Sequence, residues 1–341
     1  MRFSSIHIII VSLFFIAVFC FVSSVFAHLD FHEEIGLINK ELEQDPHNKD
    51  LLLKRAYLFR LIGHHQDSLN ELNNLINKYP KDTSFYYQRA LTYEDLKAYE
   101  PAELDFTQVI QLGTRNGKVF SRRAVVREKL GRFEEALKDY QSGCQYRQPE
   151  DFYVRFGRLH QRLGHCQDAA DVFLKGLKQW PVSIVLTKAL VRLEINRGNY
   201  KQAHKLITAT LQRRRFKSPW LLLRSEVYKA AGQDEKATKT LQEALRECKS
   251  IIDSGKGSAI HRTYRAEVLL AMGDLQAADR EIAAVLKKFP DYFRAVELKR
   301  RIESKRSPVK AGVRVNPQGG SESDTSKGQQ PICRSCCGQT Q

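Results

Sequence analysis

The stretch KDLLLKRAYLFRLIGHHQDSLNELNNLINKYP, residues 49–80, decides how the rest of the chain is read. Ala56, Phe59 and Leu61 precede Gly63 at helical spacing, and Leu69, Leu72 and Leu75 follow it in the same rhythm. The spacing predicts two amphipathic helices joined by a tight turn. Glycine suits the turn because the residue just past a helix end often takes a left-handed backbone, which penalises a Cβ. Ser68, five residues on, is small enough to let the two helices approach closely, and Leu72 fills the space beside it.

The same marks return along the chain. Ser68, Ala102, Ala136, Ala169, Ala203, Ala237 and Ala278 are separated by 34, 34, 33, 34, 34 and 41 residues. Gly63, Gly131, Gly164, Gly198, Gly232 and Gly273 stand five residues before six of them, with Lys97 at that place in the second unit. Phe106, Tyr140, Phe173, Ile207, Leu241 and Ile282 repeat the role of Leu72. A period of this length predicts stacked repeats. Burying one such side chain is worth roughly 1.5–3 kcal/mol. One hairpin alone does not offset its ordering entropy, so neighbours must stack.

The pattern resembles the tetratricopeptide repeat. Leu53, Ala56, Phe59, Gly63, Ser68, Leu72, Leu75 and Pro80 carry it in the first unit, and Ala90, Tyr93, Ala102, Phe106 and Val109 in the second. Ala124, Gly131, Ala136 and Tyr140 continue it, then Gly157, Gly164, Ala169, Phe173 and Pro181. The fifth unit is the most degenerate, with Val191 where a small residue is usual. Tyr228, Gly232, Ala237, Leu241 and Ala244 form the sixth, and Ala266, Gly273, Ala278, Ile282 and Pro290 the seventh. The resemblance covers about residues 49–290 and implies an all-α, right-handed α-solenoid of about seven helical hairpins. Residues 28–48 and 291–304 read as capping helices, and the extra residues around Lys249 to Gly257 as a longer helix followed by a loop.

The ends speak to compartment. Met1 to Ala27 has a basic start at Arg2, an uncharged run of Ile, Val, Leu and Phe, and a small-residue close at Val25-Phe26-Ala27. That is the form of a secretory signal peptide, which gives an exported, periplasmic or secreted protein. Left uncleaved, residues 3–27 are long enough to anchor the chain in a membrane. Residues 305–341 lose apolar spacing and read as a disordered tail ending in Cys333, Cys336 and Cys337. Three close cysteines without a second pair make no zinc knuckle, so no metal or other cofactor is expected.

The formal charge is +16, of which Arg2 contributes one, and such a balance favours anionic partners. The resemblance implies that the first helix of each hairpin faces the concave side. Carried onto this chain, its lining positions hold Lys118, Arg122, Arg155, Arg158, Arg162 and Arg192, with Lys188 one position away and Tyr57 and Tyr87 in the first two units. Like charges at Arg158 and Arg192, 34 residues apart, repel unless an anion bridges them. The lysine–asparagine clamp of chaperone-binding relatives is not matched, since Leu53 and Tyr57 stand at the corresponding positions.

No phosphate-binding loop, nucleophile elbow or metalloprotease helix motif is present. Copper chelation by an exposed His28 with His32 is the one metal alternative, against a plain polar leader. The sequence therefore predicts a non-enzymatic scaffold that holds an acidic peptide or helix of another protein in its groove. Nucleic acid is disfavoured because no aromatic stripe alternates with the basic residues, and no small-molecule site is expected. The alternative is an envelope or polysaccharide-associated accessory protein that meets anionic glycan or lipid headgroups.

Overall fold

The structure, a computed structural model, describes residues 30–306. The signal or anchor expected over residues 1–27, His28 and the cysteine-ended tail beyond Arg306 lie outside the described residues. Those described are helical and contain no strand. None of their helices is long and apolar enough to cross a membrane.

After α1 (residues 30–44), the chain forms seven helical hairpins. They are α2 (Lys49–Leu61) with α3 (His65–Lys78), α4 (Thr83–Asp95) with α5 (Tyr99–Gln111), and α6 (Gly117–Lys129) with α7 (Phe133–Gly143). Next come α8 (Glu150–Arg162) with α9 (Cys166–Gln179), and α10 (Ile184–Asn196) with α11 (Tyr200–Leu211). α12 (Ser218–Ala230) with α13 (Asp234–Ile251) and α14 (Ala259–Met272) with α15 (Leu275–Lys288) complete the set, and α16 (Phe293–Arg306) follows. The 41-residue step is spent on a lengthened α13 and a π-helical turn, Ile252–Lys256.

Local chemistry sets these boundaries. Asn48, Asp82, Asn116 and Ser183 cap α2, α4, α6 and α10 by accepting backbone N–H bonds of the first turn. Gly63 closes the first hairpin turn at φ 82°, and Lys97 takes the same left-handed conformation at φ 57°.

The chain divides into two compact units, the first ending at Phe152 and the second starting at Tyr153. In the first, Ile35, Ile38 and Leu42 of α1 pack on Leu58 and Ile62 and cover the end of the stack. Ala56, Leu72, Leu75 and Phe85 form the next layer, and Ala90, Ala102, Phe106 and Val126 the one after. The second unit repeats the scheme with Val191, Ala203, Ile207 and Trp220, then Leu221, Leu241, Ala244 and Val268. Ala295, Leu298 and Ile302 of α16 cover Ala266, Ala278 and Ile282 at its far end. All seven recurring small residues are buried, which is where close helix approach requires them.

Candidate functional site

Within the second unit, the first helices α8, α10, α12 and α14, together with α16, line a cavity of roughly 560 Å³. Arg158 comes from α8, Lys188 and Arg192 from α10, Glu226 from α12, Tyr264 from α14 and Arg294 from α16. A smaller hollow of roughly 190 Å³ shares Lys188, Arg192, Glu226, Tyr264 and Arg294, and adds Arg301 and Lys305. Ile184 and Val185, both exposed, give the larger cavity an apolar rim.

The floor is pre-organised. The Arg294 guanidinium lies 3.8 Å from the centre of the Tyr264 ring. Its Nε and Nη2 donate to Glu267 Oε1 at 3.1 and 3.0 Å. Burial works against that cation, and Glu267 and Tyr264 outweigh it, so Arg294 is held above its ordinary value. Lys188 makes no such hydrogen bond, and Glu267 and Glu226 offset its surroundings only in part. Its Nζ lies 5.8 Å from the Trp220 ring and 6.0 Å from Tyr264. Burial, then the neighbouring Arg294 and Arg192, push its ammonium below the usual lysine range. Glu226 opens into the water of the cavity, yet the surrounding protein pushes its carboxyl up against the pull of Arg192. Among the described residues, Arg158, Lys188 and Arg192 form no ion pair. The site thus presents three cations without a salt-bridge partner, with the single carboxyl of Glu226 among them, beside an apolar rim, an arrangement that holds an anionic group carried next to apolar side chains.

The residues expected from the sequence divide accordingly. Arg158, Lys188 and Arg192 line the cavity together, whereas Arg155 and Arg162 are exposed on α8 outside its lining. In the first unit Arg122 reaches Glu94 at 3.6 Å and Lys118 is exposed. Tyr57 lies beside Arg60, 5.4 Å from ring centre to guanidinium, and Tyr87 packs edge-on against Phe106 at 5.9 Å. Glu226, Tyr264, Arg294, Ile184 and Val185 were not anticipated. A signal existed for one of them: stepping 34 residues from Arg158 gives Arg192, and 34 more gives Glu226.

Cys248 is buried, bonds to Ser218 Oγ at 3.2 Å, and is pushed up to about 11 by burial, which leaves it an unreactive thiol at neutral pH.

Two models of the tetratricopeptide repeat match this chain, one over residues 50–82 and one over residues 83–112. The human tetratricopeptide repeat protein 13 is 26% identical over 123 residues, which are 35% of this chain and 14% of that protein. The chain therefore spans about one seventh of the length of this relative. Among solved structures, the C-terminal part of a repeat-containing protein from Cytophaga hutchinsonii is similar with a TM-score of 0.49 at 17% identity, covering 72% of this chain and 98% of that one. A repeat protein from Parabacteroides merdae gives 0.46 at 17%, covering 75% and 98%. Yeast Tom70 gives 0.45 at 14%, covering 82% and 60%. Residues 50–82 and 83–112 thus match tetratricopeptide repeats, and the hairpins after them continue the same helix–turn–helix arrangement.

Proposed function

We propose that this chain is an exported, non-enzymatic scaffold whose second unit holds an acidic segment of another protein in the cavity between its first helices. Stacked helical repeats work through extended concave surfaces rather than through a reaction centre, and the repeats at residues 50–112 support a protein-binding role. The observation that carries the reading is the convergence of Arg158, Lys188 and Arg192, none ion-paired among the described residues, next to Ile184 and Val185. A carboxylate-bearing segment relieves the mutual repulsion of these cations, and its apolar side chains rest on the rim. Export is supported by the uncharged run that follows Arg2.

The test is comparative capture from an extracellular or envelope fraction, with the immobilised protein and its R158E/R192E variant side by side. Proteins retained by the first and lost by the second, with helical circular dichroism unchanged, support the cavity as the binding surface. Identical retention by both removes it.

A further inference from the structure

A second constellation sits at the C-terminal end of α8, next in sequence to Gln161 of the cavity lining. His160 lies in the last turn of α8, His165 in the connection, and Asp168 in the first turn of α9. One ligand atom from each falls within 4.8 Å of the others. His160 Nδ1 stands 4.0 Å from Asp168 Oδ2, and the two imidazole rings have centres 5.8 Å apart. The backbone that presents them is fixed by its own hydrogen bonds. His165 N donates to the carbonyl of His160 at 2.9 Å, and Gly164 N to that of Gln161 at 3.1 Å.

We propose that His160, His165 and Asp168 bind one zinc ion across the α8–α9 turn, leaving a fourth position for water. Bonds of about 2.0–2.2 Å in a tetrahedral site put neighbouring ligand atoms about 3.4 Å apart. The separations here reach as much as 4.8 Å, so binding requires the side chains of His165 and Asp168, both exposed, to rotate inward. Two imidazole nitrogens and one carboxylate suit zinc and its transition-metal neighbours, whereas calcium and magnesium take oxygen ligands. The ion would tie the end of α8 to the start of α9 and so brace the helix that carries Arg158. This site stands independently of the acidic-partner reading, because it shares no residue with the cavity.

The test uses the full chain. After removal of metal by a chelator, zinc is titrated calorimetrically into this protein and into the same protein with H165A or D168N. Each substitution is expected to lower the affinity of one zinc equivalent by about tenfold or more, with helical circular dichroism unchanged. Zinc is also expected to raise the melting temperature of the parent more than that of either variant. Affinity should fall as pH drops through the imidazole range, since the ligand must be neutral. No zinc uptake, or uptake that either variant leaves unchanged, would overturn the three-ligand site.

Discussion

Arg123 grips Asp139 through two parallel hydrogen bonds, Nε to Oδ2 at 2.9 Å and Nη2 to Oδ1 at 2.6 Å. Its remaining Nη1 donates to Thr107 Oγ1, on the second helix of the preceding hairpin, at 2.9 Å. The arrangement recurs 34 residues earlier, where Arg89 holds Asp105 and Asn73, and again where Arg55 holds Glu71 and Asn39. In each of the first three hairpins one arginine thus bolts its own second helix to the one before. Part of the surplus basic charge is structural.

Removing the acid should be costly. Asp139 also accepts from Arg127 Nη1 at 2.9 Å, so D139A would strand the partly buried Arg123 guanidinium and leave Arg127 with Glu103 as its one carboxylate partner. A loss of about 3–5 kcal/mol is expected for the first unit, read as a lower urea midpoint. T107V removes a single neutral partner and should cost about 1 kcal/mol. Equal effects from the two would contradict the clamp.

Lys97 adopts the left-handed backbone at φ 57° where the other hairpin turns carry glycine. K97G should stabilise the protein by about 1 kcal/mol, because the Cβ strain outweighs glycine's greater unfolded freedom. Thermal unfolding followed by circular dichroism measures it.

Gly157 packs under Phe173, and a Cβ added to it would lie 2.6 Å from Cζ of that ring. G157A is expected to cost about 2 kcal/mol through overpacking. Trimming the ring in G157A/F173L should return part of that loss, a rescue that a simple change in helix propensity would not show.

The raised pKa of Glu226 has a sign that binding can read. As pH falls from neutral toward the folded-state pKa, Glu226 takes up a proton and the cavity beside Arg192 and Lys188 becomes more positive. An acidic partner should therefore bind more tightly in mildly acidic solution, until its own carboxylates protonate. E226Q should flatten this dependence and bind tightly throughout. For the fold itself, a raised carboxyl pKa contributes stability that is full below the unfolded value and fades as pH rises through the folded one.

Much of the architecture is legible in residues 49–80 because its determinants are local and repeat. The glycine turn, the small residue five places on and the large apolar residue four beyond that together specify one hairpin, and the 34-residue beat specifies the stack. Even Lys97 and Val191, which break the pattern, hold their places because their neighbours over-determine them. The cavity was legible only where the beat is regular. Arg158 and Arg192 follow it, whereas Tyr264 and Arg294 come after the lengthened α13 has shifted the register. Arg155 and Arg162 share a helix with Arg158 but are not part of the cavity lining. The His160–His165–Asp168 group escaped because it straddles a helix end, where neither the helical nor the repeat period brings residues together.

The most direct measurement is a peptide-library selection on the immobilised protein, with the strongest binder then titrated against R158E/R192E and against K201E/K205E on α11. The expected outcome is enrichment of sequences that interleave Asp or Glu with apolar residues. Their affinity should fall about tenfold or more in R158E/R192E, a loss of about 1.4 kcal/mol or greater, and stay near the parent value in K201E/K205E. Selected peptides without acidic residues, or equal weakening by the two charge reversals, would contradict the assignment of the cavity as the working surface.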